Sequence, residues 1–201
     1  MKQRTAKTFG LNDSSRVYLF FERSGTFKKA FEKYGFIATD YDLEAEHEEV
    51  KKTDLFLEIK KECFDKSSSV FAEIKANDLV VAFFPCTYFS DQSQLISRGD
   101  SFGMKDFSNE EKLARSMIDM KVRADFYIIL CELCLIAERK HFKLIIENPY
   151  GKVNFLKQFF PIKPCLIIKN RMLWGDFFKK PTQFFFINCI PNFFLERVNC
   201  F

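Results

Sequence analysis

Apolar positions fall in short runs along the chain, and most runs end in a turn residue or an abrupt polar step. Arg16–Glu22, RVYLFFE, reads as a buried strand. Ser24-Gly25 breaks it. Phe27, Ala30, Phe31 and Tyr34 then recur at helical spacing, and Gly35 closes that helix. Phe36–Tyr41, FIATDY, predicts a second strand that ends in acidic residues. A strand–helix–strand unit with short connections is the opening of a Rossmann-like sheet.

The pattern continues in the same style. Leu43–Val50 is acidic and reads as a loop or short helix, Thr53–Ile59 as strand or helix, and Ser67-Ser68-Ser69 as a turn. Asp78–Phe84 predicts a strand. Residues 91–107, rich in Ser, Gly, Asp and Gln, predict a long mobile loop. Ser108 is placed to cap a long helix, with Glu110 and Glu111 in its first turn. Its apolar stripe runs Leu113, Met117, Val122, Phe126, Ile129, Leu133, Ile136. Lys143–Glu147, Cys165–Ile168 and Gln183–Ile187 are the remaining candidate strands. Strands alternating with helices predict an α/β fold with a mostly parallel sheet flanked by helices. The expected organisation is a flexible N-terminal segment, residues 1–15, followed by a single Rossmann-like domain over 16–201.

Composition narrows the class. With 201 residues and 47% hydrophobic content the chain supports one substantial core and is not disordered. Phe, 27 residues, is spread evenly through predicted strands, helices and loops, which reads as compositional bias. No apolar run reaches the length of a membrane span, and the first fifteen residues lack the apolar core of a signal peptide. A cytoplasmic protein is therefore expected, and seven irregularly spaced cysteines argue against a disulfide framework. The net charge of +4 is uneven. From Arg139 onward eleven Lys/Arg face three Asp/Glu, a net +8, leaving −4 on the first 138 residues. A basic C-terminal third suits phosphate neutralisation, and equally suits an ordinary Lys-rich surface.

In open α/β sheets ligands bind beyond the carboxyl ends of the strands. Those ends carry Glu22-Arg23-Ser24-Gly25, then Asp40 and Asp42, then Pro85-Cys86, then Glu147-Asn148-Pro149. Each has a plain structural reading: a tight turn, solvated loop acids, a core thiol, a turn acid. A turn glycine, carboxylates and a thiol gathered on one sheet edge give the functional reading its weight. Cys131-Glu-Leu-Cys134 lies within the predicted long helix and has no companion pair at zinc-ligand spacing, so it reads as core packing and no metal site is expected. Trp174 reads as a packing residue or a stacking surface.

These residues match a family pattern. FERSGTFKKAFEKYG, Phe21–Gly35, is similar to a Phe-x-Gly-x-Gly cofactor motif followed by a helix. PCTYFS, Pro85–Ser90, resembles the nucleophile motif Pro-Cys-x-x-x-Ser. IIENP, Ile145–Pro149, resembles a strand ending in Glu-Asn. GDFFKKPTQFFFIN, Gly175–Asn188, is similar to a Lys-Pro-Thr segment near the end of the catalytic region. In this order they resemble DNA cytosine-5 methyltransferases, especially short phage and bacterial members, over most of residues 16–188.

The resemblance implies a Rossmann-like methyltransferase fold, S-adenosylmethionine (SAM) as cofactor, and DNA as substrate, single-stranded or with its target base flipped out. It implies Cys86 as the nucleophile that adds to C6 of cytosine, with surroundings that lower its pKa, and Glu147 as the acid that holds the ring. Cofactor contacts would come from Phe21, Arg23, Gly25, Pro85 and Asp40 or its rival Asp42, with Asp54 toward the adenine. Ser90, Asn148 and Arg171 would contact the substrate. The alternative is a methyltransferase-like protein that binds a nucleotide or nucleic acid without methyl transfer, in an accessory or inhibitory role. Two departures bear on the choice. Arg23 stands where the family has its first glycine, and there it either pairs with the cofactor's carboxylate or fills its space. About thirty residues separate Glu147 from Gly175, too few for a separate target-recognition domain.

Overall fold

The computed structural model describes residues 11, 12, 14–174 and 177–190, without the side chain of Trp174. Seven strands form a mixed sheet in the order β3-β2-β1-β4-β5-β7-β6, flanked by helices, so the class is α/β. The described residues cluster into two compact units. The first comprises residues up to Phe84 with Glu132–Ile146 and the segment from Phe186; the second comprises Pro85–Cys131 and Glu147–Phe185.

The first unit holds the parallel part of the sheet. β1 (Arg16–Phe20) pairs on one side with β2 (Ile37–Asp42) and on the other with β4 (Leu79–Ala82). β2 pairs with the short β3 (Lys51–Lys52), and β4 pairs with β5 (Lys143–Pro149). Val17, Leu19, Phe20, Leu79, Val80, Leu144 and Ile146 are buried, as continuous apolar runs require in a sheet covered on both faces. Asp78 ties the strand starts together: its carboxylate accepts from the backbone of Arg16 and of Lys75, both at 2.8 Å. The order β3-β2-β1-β4-β5 is that of a doubly wound sheet, with its switch point between β1 and β4.

Helix α1 (Thr26–Lys33) enters from Gly25 and leaves through Gly35, both at positive φ, as expected from the sequence. Thr53–Ile59 resolves into the start of α2 (Leu55–Phe64), capped by Asp54. Ser68 caps α3 (Ser69–Glu73). Leu11 and Ser15 are buried, and the turn between Asn12 and Ser15 is closed by the Asn12 side chain.

In the second unit, residues 91–107 do not form the expected long loop. Asp91–Ser97 is a helix, α4, whose cap is Ser90, and Phe102–Met104 is a 3-10 turn. Polar composition misled here because Ser90 accepts from the Ser93 amide and satisfies a helix start. The long helix α5 (Asn109–Lys140) opens with a reciprocal cap: the Ser108 amide donates to Glu111, and the Glu111 amide to Ser108 Oγ. Its predicted stripe is buried only from Ile129 onward; Leu113 and Met117 are exposed. Helix α6 (Phe155–Phe159), β6 (Leu166–Ile168) and β7 (Thr182–Ile187) complete the described chain, with β6 antiparallel to β7. Among the described residues no helix is long and apolar enough to cross a membrane, and no group of His, Cys, Asp and Glu is arranged to hold a metal.

Candidate functional site

The residues assigned from sequence divide into two clusters. In the first unit β1 ends at Phe20 and the chain turns sharply, because Phe21 adopts a left-handed φ of 60°. Such a backbone is uncommon for an aromatic residue and costs strain. The Phe21 amide bonds to the Tyr41 carbonyl, and its ring packs edge-on against Phe56 and Phe84. The turn sends Glu22 inward. Its Oε1 accepts from the amide and hydroxyl of Ser24, while its Oε2 is buried without a donor.

Asp40 faces this turn. The sequence places it at the acidic end of the second strand; in the structure it lies within β2, opposite Leu19 and wholly buried. Neither of its carboxylate oxygens receives a hydrogen bond while both acids are ionised. Burial raises its pKa to about 6, against the pull of Lys28 and with the help of nearby Glu22 and Glu32. A protonated Asp40 can donate to Glu22, which resolves the apparent absence of partners. A Cβ added at Gly25 would sit in ordinary contact with Asp40 Oδ2, at 3.7 Å, so it is the left-handed φ of 67° rather than space that calls for glycine beside this carboxyl pair. A cavity of about 290 Å³ opens beside Gly25, lined by Ser24, Lys29, His47, Glu48 and Glu49, but not by Asp40.

Arg23 is turned outward, 58% exposed, onto Glu46 at 3.0 Å and Glu44 at 3.6 Å. It clamps the acidic loop after β2 rather than filling the space between Gly25 and Asp40. The rival acid Asp42 accepts from the Glu44 amide and is partly exposed. Asp54 uses its Oδ1 to cap α2.

In the second unit Cys86 and Glu147, 61 positions apart in sequence, lie within electrostatic reach of one another. The Cys86 carbonyl accepts from the amides of Phe89 and Ser90, which folds the chain directly after the thiol. Burial pushes the Cys86 thiol up; Lys180 lowers it and Glu147 raises it. The low-pKa surroundings expected from sequence are therefore not what the isolated thiol meets. Glu147 is also raised by burial, opposed by Lys180, by Arg171 and by a hydrogen bond from Thr182. The Arg171 guanidinium is 3.6 Å from Glu147 Oε1, so Arg171 serves the carboxylate. Asn148 is fully buried, Pro85 is half-buried, and Ser90 Oγ is spent on the cap of α4.

Several supporting residues escape sequence reasoning. Lys180 acts on both Cys86 and Glu147. Gln183 and Asn154 each donate to the Pro149 carbonyl, at 2.9 and 3.0 Å, and the Tyr150 amide donates to Pro181. Together they lock the Lys-Pro-Thr segment beside the Glu-Asn-Pro strand end. Buried Arg123 donates to the Tyr88 carbonyl at 2.8 Å, the Ser93 carbonyl at 3.2 Å and Ser97 Oγ at 2.7 Å, and its guanidinium lies over Phe155. The Lys-Pro-Thr motif was a signal for the first group; nothing in the sequence marks Arg123.

Compared with known proteins, the chain matches no protein-family model and no curated protein. What these clusters can do rests on their own chemistry.

Proposed function

We propose that the protein transfers a methyl group from SAM to C5 of cytosine in DNA, on a Rossmann-like methyltransferase fold. The observation that carries this reading is the convergence of Cys86, Glu147 and Lys180: a thiol and a carboxyl under one cation, brought together from three separated segments. A nucleophilic thiol paired with a carboxyl is what addition to a pyrimidine ring requires.

In this reading Cys86, having released its proton to solvent, adds to C6 as the thiolate while Glu147, whose pKa burial raises, gives a proton toward N3. The electron pair gathers at C5. SAM, when bound, supplies the electrophilic methyl group. Solvent water then takes the C5 proton, the thiolate is expelled as the C5–C6 double bond re-forms, and N3 returns its proton to Glu147. Burial raises the Cys86 pKa in the ligand-free protein and so disfavours the thiolate. Lys180 is the group whose charge favours the thiolate.

The cofactor side rests on the first cluster. Asp40 and Glu22 form a buried carboxyl pair, and a ribose whose two hydroxyls replaced the proton between them would find its acceptor in Asp40. Gly25, at a left-handed φ of 67°, makes the turn that starts α1 beside this pair. Arg23, turned onto Glu44 and Glu46, leaves that approach clear.

Calorimetric titration with SAM is the direct test; no heat at millimolar cofactor would sink the proposal. With SAM present, DNA containing 5-fluorocytosine should trap a covalent adduct that Cys86→Ser abolishes. A second reading, a nucleic-acid-binding protein of this fold without methyl transfer, is favoured by the raised Cys86 pKa. It predicts nucleic-acid binding with no adduct.

A further inference from the structure

The connection between β6 and β7, residues 169–181, departs after Ile168 and returns at Thr182, which are paired across the hairpin. A cation near each end of the connection acts on the same carboxylate. Arg171 is 3.6 Å from Glu147, and Lys180 acts on Glu147 and on Cys86. Between those anchors the loop presents large apolar side chains to solvent. Leu173 is 81% exposed, Phe177 91%, Phe178 75% and Met172 54%. Apolar groups gathered in one short exposed segment mark an interaction surface. The loop's sequence carries Lys169, Arg171, Lys179 and Lys180 against the single acid Asp176.

We propose that this loop is a platform for an unpaired nucleic-acid strand, on which bases stack on Phe177 and Phe178 while Lys169 and Lys179 neutralise the flanking phosphates. Aromatic faces interleaved with cations are how single strands are held without sequence reading. A base inside a duplex has no free face to offer these rings. Positive charge selects a polyanion over an apolar protein partner. Arg171 and Lys180 at the loop's base then deliver a neighbouring nucleotide toward Glu147 and Cys86. The proposal rests on the nucleic-acid part of the reading above and adds to it the strandedness of the substrate and the residues that hold it.

The test is fluorescence anisotropy with a labelled 20-nucleotide oligothymidylate and with a blunt 20-base-pair duplex, in the absence of SAM. The single strand should bind at least ten-fold tighter than the duplex. The Phe177→Ala/Phe178→Ala double variant should lose roughly ten-fold or more of single-strand affinity, since a stacked base contributes about 1–3 kcal/mol. Lys179→Ala should reduce the slope of log affinity against log salt by about 0.7, the share of one single-strand phosphate. Phe177, 91% exposed, also allows a single Phe177→Ala variant, which should melt with the parent and still lose single-strand affinity. Equal affinity for duplex, or single-strand affinity unchanged by the double variant, would overturn the proposal. So would gel filtration showing a dimer that the double variant dissolves, because the surface would then belong to a second copy. No cofactor enters the assay. A protein that fails the SAM titration yet binds oligothymidylate through these phenylalanines loses the methyl-transfer reading and keeps this one.

Discussion

At the scale of single residues, Asp40 sets function against stability. Its carboxyl is wholly buried and its pKa is raised to about 6. An unfolded aspartate titrates near 4, so between about pH 4 and 6 the folded protein retains a proton that the unfolded chain has released. Stability therefore falls as pH rises through that window and stays low above it. Asp40→Asn removes the buried charge. It should raise the melting temperature by several degrees at pH 7.5, from roughly 2–3 kcal/mol of relieved burial, and have little effect at pH 4. The same change should weaken SAM at least ten-fold, because an amide presents one acceptor and an unwanted donor to a diol. Thermal melts at the two pH values and a SAM titration check both signs. A loss of stability at pH 7.5 would show that the ionised carboxylate is held by partners.

Some of this was legible in the sequence and some was not. Gly25 and Cys86 lie just beyond β1 and β4, because turn glycines and the ends of apolar runs are local signals, whereas Glu147 lies within β5, which continues to Pro149. Asp40 reads from the sequence as an acid at a strand's end, whereas β2 runs on to Asp42 and buries it; the one-dimensional pattern does not show that this strand is covered on the face Asp40 occupies. Asp54 and Ser90 were given ligands by analogy, whereas their oxygens serve helix starts, a local demand met first.

At the scale of elements, the 85–97 segment is held by a residue from another part of the chain. Arg123, on α5, spans the Tyr88 carbonyl just after Cys86 and the Ser93 carbonyl and Ser97 hydroxyl of α4. One planar guanidinium satisfies three acceptors at fixed angles, which a lysine cannot reproduce. In the sequence Arg123 looks like a surface cation of an amphipathic helix, since tertiary partners leave no periodic trace. Arg123→Met should destabilise the protein by roughly 2–4 kcal/mol, because buried carbonyls lose charged donors. Arg123→Lys should recover less than half of that. The positioning role has its own readout: loosening the turn after Cys86 should speed alkylation of that thiol by iodoacetamide, followed by mass spectrometry of its peptide. An unchanged alkylation rate beside a lowered melting temperature would reduce Arg123 to a structural residue.

At the scale of the whole molecule, the candidate groups partition by unit. Phe21, Glu22, Arg23, Gly25, Asp40, Asp42 and Asp54 belong to the first, and Pro85, Cys86, Glu147, Arg171 and Lys180 to the second. Charge divides the chain differently: residues 1–138, which include Cys86 as well as the proposed cofactor cradle, carry −4, and residues 139–201, which include the proposed strand platform, carry +8. If each unit binds its own ligand, hydrogen exchange should separate the two footprints. SAM alone should slow exchange of amides in 21–26 and 38–42, where backbone groups flank the carboxyl pair. Oligothymidylate alone should slow 86–90, 147–152 and 169–180, and leave 21–26 unchanged. The prediction is sharp because the strand-end peptides of both units are short and can be resolved by mass spectrometry. SAM protection appearing around Glu147 and not around Gly25 would place the cofactor on the wrong cluster in our reading, and the Asp40 prediction would fall with it. Protection of 21–26 by the oligonucleotide alone would instead make the Gly25 turn a phosphate site. In that case methyl transfer would lose its cofactor cradle while the single-strand platform stood.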